Sequence, residues 1–239
     1  MQKIRRRTDG PTALSARGAA ITEFLIVMLA LAPLVMGSIQ AALVFHAKTI
    51  LSYATFEAAR AGAVQNAQRA AMQRAFQRNM LPLYGGGSTT GSLALALTRS
   101  SADLWIGPIQ NTSIGAGTTL VILSPTVEAF RDFGLRVNSA GTQFIPNEHL
   151  RYRSRQVGGT SRVDIQDANL LKIKITYGYK LIVPVINRIM ARILIIADPV
   201  NIQFYSADPP RLPIVSYATV RMQSDAQASS NMSIANPAP

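Results

Sequence analysis

The chain has 239 residues, enough for one medium-sized domain or two small ones, and it contains no cysteine. It therefore has no disulfide framework, thiolate metal site or cysteine nucleophile. Its 24 basic and 12 acidic residues give a net charge of +12, which invites a nucleic-acid interpretation. The placement of the charge argues against that class, because residues 1–17 carry +4 and the remaining +8 is spread along the chain.

The N-terminal segment combines a basic stretch with a long apolar run. Residues 1–17 contain five basic residues and one acidic residue, and Phe24 to Phe45 are 22 residues without a charge. At about 1.5 Å per helical residue this run reaches roughly 33 Å, enough to cross a bilayer core. The positive-inside rule then places residues 1–17 in the cytoplasm and the chain beyond about Phe45 outside it.

One carboxylate, Glu23, stands at the start of this run, where a charge costs about 2.5–3.5 kcal/mol even on lenient insertion scales. Gly18 precedes it by five residues. A small residue before a cut and a glutamate five residues after it form the prepilin processing pattern, so a cut is predicted between Gly18 and Ala19. Two other interpretations stay open. A secretory signal cut after Ala32 would have a longer apolar core than the usual 7–15 residues or so, and an uncleaved anchor would leave Glu23 unexplained.

The region from His46 to Met80 is rich in alanine and free of proline, which predicts a strong helix. The membrane helix is expected to continue into it without a break, giving a stalk from about Thr22 to Met80. Gly37 and Ala41 have the small-residue spacing that lets another helix approach closely, and the alanine-rich part suits packing against like helices. The alternative is a helix folded back on its own domain.

The remainder predicts a small domain of mixed helices and strands. The clearest strand runs from Leu171 to Tyr177, where apolar residues alternate with Lys172, Lys174 and Thr176. The other predicted elements are a linker at 85–91, a helix at 93–105, a strand at 118–123, a helix capped by Ser124 and closed by Gly134, and a strand at 211–222.

Residues 185–196 are apolar but are broken by Arg188 and Arg192. The segment is too short and too charged for a second membrane span. It is predicted to be an amphipathic helix or loop on the domain or on the membrane surface.

The sequence contains no recognisable catalytic constellation. Its two histidines, His46 and His149, lie in unlike contexts, and neither Gly-x-Ser-x-Gly nor His-Glu-x-x-His occurs. Asp164 and Asp167 share one loop and are interpreted as solvated turn residues rather than cation ligands. We therefore expect a protein that is not an enzyme, with no metal and no cofactor.

Three stretches together resemble the TadE-like family of the tight-adherence pilus system. They are Arg17 to Phe24 with the apolar helix, Phe56 to Ala63, and Asn169 to Tyr179 with the closing Arg211 to Ser224. The resemblance implies a minor pilin or pseudopilin that is cut after Gly18 by a prepilin peptidase. Its further partners would be other pilins, minor pilins and inner-membrane assembly proteins.

The resemblance also implies assembly roles for Glu23 and Phe24 at the start of the mature helix. Glu23 would neutralise the new amine of Ala19 on a neighbouring subunit, because an unpaired carboxylate and an unpaired ammonium are each costly in an apolar setting.

The predicted architecture is α+β: a long N-terminal transmembrane and stalk helix, followed by a small periplasmic domain with an antiparallel sheet. Its parts are a basic leader (1–18), the transmembrane and stalk helix (19–80), the periplasmic domain (81–230) and a disordered tail (231–239). The chain is expected to cross the inner membrane once and to contact membrane lipid. Nucleic acid is not expected as a partner.

A different class of function is also compatible with the sequence. A membrane-anchored envelope protein that is not assembled into a pilus could bind a polyanion through Arg151, Arg153, Arg155 and Arg162.

Overall fold

The computed structural model describes residues 13–85, 89–105, 117–137 and 142–228. The first 12 residues of the predicted leader, part of the predicted linker and the predicted tail lie outside the described residues. The helices are α1 (Ala13–Val64), α2 (Arg69–Met80), α3 (Thr90–Trp105), α4 (Val127–Phe133), α5 (Ile165–Ala168), α6 (Ile186–Ala197) and α7 (Ile202–Tyr205). The strands are β1 (Thr118–Ser124), β2 (Leu135–Val137), β3 (Thr142–Ile145), β4 (Leu170–Lys180), β5 (Arg211–Arg221) and β6 (Ala226–Gln227).

Both sheets of the described chain are antiparallel. The larger has the strand order β1-β4-β5, and the smaller has the order β2-β3-β6. The register of the long central pair runs from Leu170 opposite Arg221 to Lys180 opposite Arg211. A long N-terminal helix followed by a small domain with antiparallel sheets confirms the predicted α+β fold class.

The alternation predicted for β4 is confirmed. Leu171, Ile173 and Ile175 are fully buried, whereas Lys172 on the opposite face is exposed. Successive side chains of a strand point to opposite faces of the sheet, so this pattern places one face of β4 in the core.

The second half of α1 is a central element of the core rather than a separate stalk. It packs across β4 and β5, and its small side chains let the helix lie close to the sheet. Within this half, the residues with no exposed surface are Gln40, Ala47, Leu51, Ala54, Thr55, Ala58 and Ala59. Of the two arrangements left open by the sequence, the observed one is the helix folded onto its own domain.

The expectation of one unbroken helix to Met80 is wrong. α1 ends at Val64, and α2 starts at Arg69 and packs back against α1. The turn is fixed by the segment after β5: the backbone N–H of Asn66 donates to Ser224 Oγ (2.9 Å), and Asn66 Nδ2 donates to the Asp225 carbonyl (2.8 Å). Alanine content predicts helix on both sides of this turn, but the turn itself depends on residues far away in the sequence.

The helix predicted after β1 begins slightly later than expected. Thr126, not Ser124, is the N-cap of α4, because its Oγ1 accepts a hydrogen bond from the Ala129 N–H at 3.2 Å. The predicted end at Gly134 is confirmed.

A buried ionic cluster fastens α3 to the larger sheet. Asp103 Oδ1 lies 2.7 Å from both Lys180 Nζ and Arg211 Nη2, and the side chain of Asp103 is only 6% exposed. Tyr84 OH donates to Asp103 Oδ2 at 2.8 Å and lies 3.0 Å from Tyr177 OH. Three residues from separate parts of the chain, Tyr84, Lys180 and Arg211, therefore meet around the Asp103 carboxylate.

This environment shifts the acidities of the cluster. Burial acts to raise the pKa of the Asp103 carboxyl, but the hydrogen bonds from Lys180, Tyr84 and Arg211 outweigh burial and hold that pKa below its usual range. Burial raises the pKa of Tyr177 to about 12 and also raises the pKa of Tyr84. Both phenols therefore stay neutral at physiological pH.

Replacing Asp103→Asn should destabilise the domain. Removing one partner of a buried ion pair costs about 3–5 kcal/mol, and we expect the lower end because Lys180 is partly exposed. Chemical unfolding of the full chain in mild detergent, followed by circular dichroism, measures this loss. Glu57→Gln is the control, because it removes the surface pair with Arg60 (2.9 Å), and it should change stability by less than about 1 kcal/mol.

The same comparison has a defined pH dependence. The folded pKa of Asp103 is lowered, so its contribution is complete above the unfolded value of about 3.9 and is lost as pH falls through the folded pKa. The difference between wild type and Asp103→Asn should be constant near neutral pH and shrink below about pH 4. A difference that grew on acidification would contradict this role.

A second prediction concerns Gly62, where α1 meets α2 and β4. A Cβ atom there would lie 2.8 Å from Leu171 Cδ2 and from Met72 Cγ and Sδ, and both neighbours are fully buried. Gly62→Val should lower the free energy of unfolding by about 1–3 kcal/mol, the usual range for overpacking a core. Gly37→Val is the matched control on the same helix, since nothing lies within 4 Å of that position. Equal losses for the two variants would refute the close-approach explanation.

Candidate functional site: the exposed half of the N-terminal helix

The N-terminal half of α1 is apolar and exposed. Among the described residues, Ile21–Val64 is the one helical segment long and apolar enough to cross a membrane. Phe24 is 61% exposed, and Leu29 and Leu34 are exposed to a similar or greater extent. A surface of this kind is far larger than the apolar patches of ordinary soluble proteins, so it fits a membrane-anchored protein.

The predicted processing and assembly residues all lie in the N-terminal part of α1. Gly18 and Ala19 lie in the first turns of α1, and Glu23 follows Ala19 by four residues, which is about one helical turn. The side chains of Glu23 and Phe24 are exposed. They are accessible to lipid or to another subunit, and their roles in assembly stay predictions.

Gly37 and Ala41 lie one turn apart on α1 and leave open space beside the helix. Ala41 is exposed, and a Cβ atom at Gly37 would meet nothing within 4 Å. The small residues are therefore not used for packing within the described part of the chain. A helix of another molecule could approach them closely.

Gln40 is the first buried residue of α1 among those whose burial is described. This side chain is fully buried, and its Oε1 accepts a hydrogen bond from the Val183 N–H at 2.9 Å. Sequence reasoning missed this contact, although Gln40 is the only amide side chain in the run from Phe24 to Phe45. A buried amide in an apolar helix needs a polar partner. The isolated Gln40 in this run was therefore a signal from which a contact with the domain could have been predicted.

The arginines of the alternative polyanion hypothesis lie on one surface segment. Arg151, Arg155 and Arg162 are exposed, while Arg153 is half-buried and its Nε donates to the Glu148 carbonyl at 3.0 Å. The structure leaves these groups accessible.

The residues considered as cation ligands have a structural explanation. Asp164 caps α5, because its Oδ1 accepts from the Asp167 N–H at 2.7 Å. Among the described residues there is no group of three or more His, Asp or Glu side chains arranged to hold a metal ion. His46 is exposed on α1, and His149 lies in the loop before Leu150, so the two histidines are in different parts of the fold.

Comparison with known proteins gives one match. Residues 18–60 match the family model described as TadE-like protein. No curated protein and no solved structure matches the chain.

The matched segment starts at Gly18 and covers the exposed half of α1 together with most of the part that packs on the sheet. The resemblance to the TadE-like family is thus confirmed over residues 18–60, and a TadE-like segment suggests involvement in a tight-adherence pilus system and association with its assembly components.

Proposed function

We propose that this chain is a minor pilin-like or pseudopilin-like subunit of a tight-adherence, Flp-type pilus system. A prepilin peptidase cuts it between Gly18 and Ala19, and α1 then anchors the mature subunit in the inner membrane. The subunit has no catalytic role of its own, and the domain after α1 lies in the periplasm.

The observation that carries this proposal is the extent of the family match. It begins at Gly18, the residue before the predicted cut, and includes Glu23 and the exposed apolar helix. The residues outside the match contain most of the domain, so the family match concerns the N-terminal helix. A plain membrane anchor explains the apolar helix but not the glycine and glutamate at their five-residue spacing.

The geometry of α1 supports an assembly role for the exposed carboxylate. Glu23 is about 26 Å from Gln40 along the helix axis, so the domain is nearly a bilayer thickness away. The domain is therefore too far away to supply the counter-charge of Glu23. The α-amine created at Ala19 of a neighbouring subunit supplies that charge, and pairing offsets much of the cost of placing each group in an apolar setting.

Orientation and partners follow from the same segment. The basic residues before Gly18 keep the N-terminus in the cytoplasm. The exposed apolar half then contacts lipid before assembly and other pilins or inner-membrane assembly proteins afterwards. Gly37 and Ala41 provide a point at which a second helix can approach.

The first test is the N-terminus of the mature protein. Sequencing of protein extracted from membranes should begin at Ala19, because the peptidase requires a small residue before the cut. Gly18→Arg should keep Met1, whereas Gly37→Val should be processed normally. A wild-type chain that starts at Met1, or anywhere after Ala32, would overturn the proposal.

The second test asks whether Glu23 has a role in pilus assembly or merely lies at the end of a membrane anchor without such a role. Glu23→Leu removes a charge that hinders insertion, so the variant should reach the membrane and be cut at normal levels. It should nevertheless fail to restore pili in a strain lacking the wild-type copy. Leaving one charge of a buried pair unpaired costs about 3–5 kcal/mol, more than a hundredfold in an association constant.

Two further variants sharpen the second test. Glu23→Gln keeps the shape of the side chain and should also fail, whereas Glu57→Gln makes the same change in the folded domain and should restore pili. Normal piliation by both Glu23 variants at native expression would contradict the assembly role of Glu23 and would favour the plain membrane anchor.

A further inference from the structure

The helix α6 carries an apolar surface that the domain does not cover. Ile189 and Ile193 are about half exposed, and Ile196 is 84% exposed. Val185, just before the helix, is also exposed. Arg188 and Arg192 lie one turn apart and are exposed beside these residues. We call this set the α6 patch: Val185, Arg188, Ile189, Arg192, Ile193 and Ile196.

The α6 patch lies beside the membrane helix. α6 packs against α1, and the segment that leads into it is tied to Gln40 through the Val183 N–H. Gln40 is also where α1 changes from an exposed helix to one packed against the domain. The helix that carries the patch is therefore held next to the point where the exposed apolar half of α1 ends.

The length of the apolar run fixes where the bilayer must end. A hydrocarbon core of about 30 Å needs about 20 helical residues, so a span that starts at Phe24 reaches about residue 43. This is beyond Gln40, and Phe45 is still 73% exposed. A tilted helix would need more residues and would extend the span further. The level of α6 therefore falls within the outer boundary of the bilayer rather than in bulk water.

The chemistry of the patch fits that boundary. Amphipathic helices with isoleucines on one side and arginines beside them lie in the interface and bind anionic lipid. A concavity of about 520 Å³ is lined by Pro184, Val185, Asn187, Arg188, Ile189 and Arg192. Its apolar wall suits an acyl chain, and its two guanidinium groups suit a phosphate. The one carboxylate at the end of α6, Asp198, already accepts hydrogen bonds from Asn201 and Tyr205.

We propose that the α6 patch lies in the headgroup region of the leaflet on the domain side and binds anionic phospholipid through Arg188 and Arg192. The inference rests on the membrane anchoring in the proposed function, but not on cleavage or on pilus assembly. It makes α6 a second membrane contact that sets the depth and orientation of the domain relative to the bilayer.

The absence of cysteine from the full chain allows a direct test. Ile196→Cys, labelled with an environment-sensitive fluorophore, is reconstituted in vesicles of phosphatidylcholine and phosphatidylglycerol with brominated acyl chains. Leu135→Cys is the matched control: it is 53% exposed, and its sheet is joined to the turn after α1 through β3 and β6. That end of α1 is about 36 Å from Gln40 along the helix.

The label at position 196 should be quenched by brominated lipid several-fold more than the label at position 135. Its quenching should also increase with the fraction of phosphatidylglycerol, and Arg188→Gln with Arg192→Gln should remove that increase. Equal quenching at the two positions would overturn the membrane contact. Quenching that ignores lipid charge in both wild type and the double variant would overturn the anionic-lipid assignment.

A second copy of the chain on the patch would give a different result. The label at position 196 would then be protected from both the brominated lipid and a water-soluble quencher, and dilution of the protein in lipid would remove the protection. That outcome would also overturn the proposal. Correct processing at Gly18 and normal dependence on Glu23 would persist in each case, so failure here is distinct from failure of the proposed function.

Discussion

Burial of the alanine-rich half of α1 against β4 and β5 is the contact on which the rest of the structure depends. Ala54 and Ala58 have no exposed surface, and Gly62 leaves no room for even one additional carbon between Leu171 and Met72. The small side chains bring the helix close to the sheet, where Leu171, Ile173 and Ile175 of β4 are fully buried. One helix, α1, therefore contributes both to the core and to the apolar N-terminal half.

The two halves of α1 therefore have different surroundings, although they belong to one helix. Before Gln40 the helix exposes an apolar surface that only lipid or other helices can cover, and after it the helix is progressively enclosed by protein. This arrangement fits a membrane-anchored protein, because the exposed half can lie in lipid while the second half stays packed in the folded domain.

Polar contacts hold the surrounding elements in place around α1 and the larger sheet. The Asp103 cluster holds α3 on the sheet through Lys180 and Arg211, which face each other at the end of the β4–β5 register. Asn66 holds the end of α1 to the segment after β5. Each contact joins residues far apart in the sequence, so each closes a long loop of the chain.

Local pattern by itself determined the apolar helix, the alternation of β4, the amphipathic character of α6 and the resemblance over residues 18–60, because each of these depends on side chains a few positions apart. The tertiary structure decided what lies opposite them. In the folded chain α1 ends at Val64, and the alanine-rich segment after His46 lies largely in the core rather than in a stalk. Tyr84, Lys180 and Arg211 meet around the Asp103 carboxylate. Helix propensity is a local energy of less than about 1 kcal/mol per residue. Turns and buried polar clusters depend on partners that only the folded chain brings within reach.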